Sequence, residues 1–79
     1  MTEEILNKLI DRCAYLWGCD AADLSADTTF AEHNTKSVQI SQMTTYLEDE
    51  YDCEVPYMQF KRCKTLGEAA EFVSELVDE

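Results

Sequence analysis

Cations are scarce in this chain. Six Lys and Arg stand against seventeen Asp and Glu, giving a net charge of −11 and an isoelectric point near 4.2. Affinity for nucleic acid comes mainly from cations that neutralise phosphates, so neither nucleic acid nor an anionic membrane is expected as a partner. Basic protein surfaces are, through an attraction that weakens with salt. Long apolar runs are missing as well: the longest weakly polar stretch, Cys13 to Cys19, falls far short of the ~20 residues a membrane span needs. Histidine occurs once, as His33, and none of the four cysteines (Cys13, Cys19, Cys53, Cys63) belongs to a C-x-x-C pair, which argues against a metal site. No Gly-rich elbow or oxyanion loop accompanies any serine, and 79 residues are too few to enclose a deep pocket, so no catalytic residue and no enzymatic activity is expected. The acidic opening Met1-Thr2-Glu3-Glu4 does not read as a leader. A cytoplasmic location follows as the expectation, with the cysteines reduced and serving as buried small apolar side chains.

What is present is enough apolar residue, 46% of the chain, for one core, and no repeat or low-complexity tract divides it; residues 1–79 are expected to form one domain. Ile5, Leu6, Leu9, Ile10, Cys13, Leu16 and Trp17 recur at spacings of three and four, predicting an amphipathic helix over residues 3 to 17 that stops at Gly18. A long connection follows from Cys19 to Lys36, with cap residues Asp20, Ser25 and Thr29 and one large anchor, Phe30. From Ser37 the stripe Val38, Ile40, Met43, Leu47 and Tyr51 predicts a second helix closing just before Asp52. Val55-Pro56 then breaks the chain, and Tyr57 to Cys63 has room for only a short third helix. Thr65-Leu66-Gly67-Glu68 reads as a capping box for a last helix whose inner face is Leu66, Ala69, Ala70, Val73, Leu76 and Val77. The expected fold is all-α: a small four-helix bundle with a long loop between helices one and two and a short third helix.

Ser37 stands where loop turns into helix. There it could serve as an N-cap, carry an attached phosphate near the positive end of the helix dipole, or act as a nucleophile with His33 as base.

The surrounding pattern narrows the choice. Thr35-Lys36-Ser37-Val38, then Leu47-Glu48-Asp49-Glu50-Tyr51-Asp52, then Val55-Pro56, then Thr65-Leu66-Gly67-Glu68-Ala69-Ala70 resembles the acyl carrier proteins in length, acidity, helix order and landmarks, from Ile5 to about Val77. The resemblance implies a freestanding carrier, a monomer without metal, whose Ser37 bears a 4′-phosphopantetheine arm delivered from coenzyme A by a phosphopantetheinyl transferase. Acyl groups would ride on the arm as thioesters in a fatty-acid-like, polyketide or other specialised pathway. An unmodified interaction module and a peptidyl or aminoacyl carrier are the alternatives. It further implies that acyl-transferring and condensing enzymes with basic patches dock on the second helix. Val38, Ser41, Thr45, Glu48 and Asp49 are the candidate contacts, with Met43 taking the place of Thr45 under another helix rotation. The acids Glu48, Asp49, Glu50, Asp52 and Glu54 oppose the local helix dipole and show no stabilising role in the sequence, whereas Glu68, Glu71 and Glu75 are explained by solvation alone.

The chain departs from the family pattern at three places. Lys36 replaces the aspartate usual before the serine, which points to a restricted choice of transferase. Asn34 replaces a glycine, a gentle change because both tolerate the left-handed backbone region. The interval from Phe30 to Ser37 is one residue short, with His33 in place of the customary leucine. Lys61, Arg62 and Lys64 cluster after the third helix, either to pair with the acidic segment or to make the docking face bipolar.

Overall fold

The computed structural model describes residues 2–77. Helix α1 runs Thr2–Trp17, α2 Ser37–Tyr51, α3 Tyr57–Lys61 and α4 Leu66–Val77. Within the described residues the remaining order is two single 3-10 turns, Ala21–Asp23 and Ala31–His33, and one isolated antiparallel bridge between Thr29 and Thr65. The expected bundle is therefore present, with α1 packed chiefly against α4, and α2 against α1 and α3.

The periodic apolar faces make the core. Ile5, Leu9 and Cys13 of α1, Met43 and Leu47 of α2, Phe60 of α3 and Leu66 and Val73 of α4 are fully buried. Side chains of the Leu and Ile class contribute about 1.5–3 kcal/mol each on leaving water. Helix α1 stops at Gly18, whose φ of 71° only glycine adopts without strain, and the Cys19 N–H closes back on the Ala14 carbonyl at 3.0 Å. Helix α2 ends at Tyr51, just before Asp52 as expected, and Asp52 takes the same left-handed region (φ 50°). Helix α3 ends two residues before the expected Cys63, because the Arg62 and Cys63 N–H groups turn back onto Gln59 and Phe60 in a tighter closing turn. Helix α4 opens on the expected box: Thr65 N–H donates to Glu68 Oε2 at 3.2 Å, and Glu68 N–H donates to Thr65 Oγ1 at 3.1 Å. Glu68, which also accepts from the Lys64 N–H at 2.7 Å, is thus a cap and not merely a solvated acid.

The α1–α2 connection is held by two anchors rather than one, for Leu24 is buried as deeply as Phe30. Residues 26–30 lie against 64–67. Gly67 N–H donates to the Ala26 carbonyl, Leu66 N–H to Thr28 and Phe30 N–H to Lys64, at 2.9, 3.0 and 3.1 Å. Gly67 leaves little room there: a Cβ would lie 3.0 Å from the Ala26 carbonyl oxygen. The expectation that the cysteines are buried holds only for Cys13. Cys19, Cys53 and Cys63 are half-buried because each falls in the turn that follows a helix, and all four thiols are free.

Candidate functional site

The Phe30 carbonyl fixes where α2 begins. It accepts the His33 and Thr35 N–H groups at 3.3 and 3.2 Å and the Thr35 hydroxyl at 2.8 Å. Just before it, Thr29 and Glu32 form a reciprocal box, with Thr29 N–H to Glu32 Oε1 at 2.7 Å and Glu32 N–H to Thr29 Oγ1 at 3.2 Å. Asn34 takes the left-handed turn (φ 52°), consistent with its standing where the family has glycine. The His33 ring stacks on the Trp17 indole, centroids 4.2 Å apart and planes 2° from parallel. A histidine at this position thus serves to pack the loop against the end of α1, and among the described residues no hydrogen bond joins it to Ser37.

Ser37 is the first residue of α2, not its cap; Lys36 holds the cap position with extended backbone. The cap comes from an unforeseen residue. Gln39 Oε1 accepts the Lys36 N–H at 3.1 Å, while Gln39 Nε2 reaches the Leu16 carbonyl of α1 at 3.4 Å. Among the described residues the Ser37 hydroxyl makes no hydrogen bond, its side chain is exposed, and the Ser37 and Val38 N–H groups have no acceptor. An exposed hydroxyl beside two free amides at a helix start, next to an exposed lysine, suits a phosphodiester: its anion is stabilised by the amides and the dipole, and no internal bond has to break.

On α2, Val38, Ser41, Thr45 and Asp49 form one exposed strip. Val38 is 62% exposed and does not belong to the buried stripe, since two residues before Ile40 places it on the far side of the helix. Met43 is fully buried, so Thr45 is the one of that pair that faces out. The strip borders a groove of about 430 Å³ whose other wall is Arg12, Tyr15 and Leu16 of α1. Glu48 turns away from it.

Two of the acids do have structural roles. Glu48 Oε2 accepts the N–H of buried Val55 at 2.9 Å, which closes the α2–α3 turn, and Glu50 pairs with Lys8 of α1 at 3.1 Å. Asp49, Asp52 and Glu54 remain exposed. Among the described residues Lys8–Glu50 is the ion pair formed, so Lys61, Arg62 and Lys64 do not pair with the acidic segment. They lie instead against the end of the α1–α2 connection: Lys61, Arg62 and Lys64 share a pocket with Thr29, Phe30 and Ala31, and the Lys64 carbonyl accepts the Phe30 N–H.

The model of the family described as the phosphopantetheine attachment site matches residues 7–73. The chain is also similar to an acyl carrier protein of Lactobacillus acidophilus, at 29% identity over 72 residues that cover 90% of each chain.

Proposed function

The chain belongs to the phosphopantetheine-attachment family of acyl carrier proteins, whose prosthetic group is a covalently bound 4′-phosphopantetheine, and from that premise we propose that Ser37 carries it. One observation supports the assignment above the rest: the Ser37 hydroxyl is exposed and unbonded at the start of α2, beside two N–H groups without acceptors. When bound, the arm supplies a terminal thiol that holds cargo as a thioester. The chain's own contribution is to present that arm. The Phe30 and Gln39 contacts fix the start of α2, the free amides and neighbouring Lys36 would stabilise the phosphodiester's anion, and the exposed face of α2 is left for other proteins.

Acyl carrier proteins deliver intermediates and leave the chemistry to enzymes. This one acts in the cytoplasm as a monomer, accepts its arm from a phosphopantetheinyl transferase, and serves acyl-transferring and condensing enzymes of a fatty-acid-like or polyketide-like pathway. Among the described residues no helix is long and apolar enough to cross a membrane. The strip Val38, Ser41, Thr45 and Asp49 is the docking face. Glu48 contributes mainly to the turn it closes, while exposed Asp49, Asp52 and Glu54 meet basic patches on partners.

Mass spectrometry after incubation with coenzyme A and a phosphopantetheinyl transferase tests the site. One phosphopantetheine is expected on the native protein and none on Ser37→Ala. The same gain on the Ala variant, for instance at exposed Ser41, overturns the assignment. Failure of every transferase, that of the native host included, supports an unmodified interaction module instead. Lys36→Asp is expected to be modified faster by a generic transferase, since it removes a cation where the family carries an acid.

A further inference from the structure

The groove beside the docking strip has a chemistry that partner docking does not use. Arg12 lies half-buried in its wall between two tyrosines, its guanidinium carbon 4.3 Å from the Tyr46 ring centroid and 5.4 Å from that of Tyr15. Among the described residues it forms no ion pair and no hydrogen bond. In a chain of seventeen carboxylates a guanidinium held by aromatic faces alone retains its full set of N–H donors. Tyr15 is 76% exposed and Val38 62% exposed, at opposite margins of the same groove. Its volume of about 430 Å³ lies within the 300–1,000 Å³ or so of small-molecule sites.

Two contacts set the register between the helices. Gln39 reaches Leu16 near the start of α2 and Glu50 reaches Lys8 near its end, so α1 runs antiparallel to α2 and Arg12 stands about midway along it. Midway is some seven residues past Val38, roughly 10 Å at 1.5 Å per residue. A group tethered at Ser37 by an arm with two amide units can reach that far.

Resting on the reading of Ser37 as the attachment site, we propose that the α1–α2 groove is a resting site for the arm-borne acyl group, selective for cargo that carries a second oxygen acceptor, keto or carboxyl, beyond the thioester. Arg12 supplies donors to that oxygen, and Tyr15, Tyr46 and Val38 cover the carbon chain. Tethering makes so small a site useful. A short flexible link holds the cargo at an effective concentration of roughly millimolar, so a groove that binds the free group only weakly is still filled. A plain saturated chain leaves the guanidinium donors unused and gains only apolar contact.

The test compares four forms made by transferring the arm from coenzyme A or its thioesters: unacylated, butyryl, acetoacetyl and malonyl. Mass spectrometry first confirms loading at Ser37, and failure there counts against the attachment site, not against the groove. On loaded protein, nuclear magnetic resonance follows the amides of Tyr15, Ser41, Thr45 and Tyr46 and the Arg12 side-chain N–H. The acetoacetyl and malonyl forms are expected to shift these signals well beyond the unacylated and butyryl forms. Their thioesters should also yield to hydroxylamine several-fold more slowly than in Arg12→Gln, which keeps a polar side chain but loses the fork. A shift with malonyl alone supports the site and narrows the cargo to carboxylates. Shifts confined to the neighbourhood of Ser37 in every form, or a butyryl response equal to the others, overturn the proposal. So does full retention of the difference in Arg12→Gln.

Discussion

Replacing Glu48 separates a structural carboxylate from a docking one. Its Oε2 accepts the Val55 N–H at 2.9 Å, and Val55 is only 3% exposed. In Glu48→Ala that amide loses its acceptor in a place water reaches poorly, at a cost of about 1–3 kcal/mol. Part of this is offset, because an acid in the last turn of a helix opposes the dipole by roughly 0.3–1 kcal/mol. A net loss of about 1–2 kcal/mol results, which for a domain of this size lowers Tm by roughly 5–15 °C. Glu48→Gln keeps the acceptor and drops only the charge. Its weaker bond and the relieved dipole repulsion nearly cancel, so it should unfold close to the native protein. Urea denaturation followed by circular dichroism, with equal m-values required, measures both variants. Equal stability of Ala and Gln would refute the reasoning, since the bond to Val55 would then contribute nothing. The pair also guards the docking experiment. Reversing Glu48 to Lys disturbs the turn, so the association rate with a partner enzyme has to be read on Glu48→Gln and on Asp49→Lys, with the loss confined to low salt if charge steers the encounter.

Gly67→Ala sets a gain in helix propensity of up to about 1 kcal/mol against a Cβ placed 3.0 Å from the Ala26 carbonyl oxygen and 3.1 Å from the Ala26 Cβ. Backbone cannot yield as a flexible side chain does, so a net destabilisation of about 1 kcal/mol is expected on urea denaturation, and a more stable variant would show that the 26–30 segment slides freely. Burial pushes the Cys13 thiol from 9.0 up to about 12, so the folded state holds this proton longer than the unfolded state. Its contribution to stability is present below pH 9 and is lost as the pH climbs from 9 toward 12. The decline across that window should therefore be shallower in Cys13→Ala, and an identical slope would contradict it. With native protein at neutral pH, iodoacetamide should label Cys19, Cys53 and Cys63 before Cys13.

The sequence discloses what depends on local periodicity. The inner faces of α1 and α4, the glycine stop at residue 18, the Thr65–Glu68 box and the place of Ser37 at the start of α2 all follow from spacing and local backbone preference. Contacts made by the chain folding back are hidden from it. Glu48 meets Val55 only because Asp52 turns left-handed between them, and nothing in an acidic run says which acid will face the turn. Gln39 likewise caps Lys36 and reaches α1 with one amide, a double use that appears only when Leu16 is placed beside it. The Thr29–Glu32 box was legible in principle, since threonine with glutamate three residues on is the same pattern as Thr65 with Glu68. Val38 misleads because β-branched apolar residues usually mark the core, and here one marks the outside of a helix.

The hydrogen bonds that Phe30 donates to Lys64 and accepts from Thr35 also bear on where the molecule keeps its charge. They bring Lys61, Arg62 and Lys64 beside the loop that leads to Lys36 and Ser37, four cations against the two capping acids Glu32 and Glu68, while Asp49, Asp52 and Glu54 stay at the other end of a 15-residue helix. Charges of opposite sign held about 20 Å apart along one axis make a compass needle. In the field of a charged neighbour such a body feels a torque as well as a pull, and it turns before it touches. Adding salt shortens the range of that turning, so the fraction of collisions that arrive with the serine end leading should fall even where the total number of collisions barely changes.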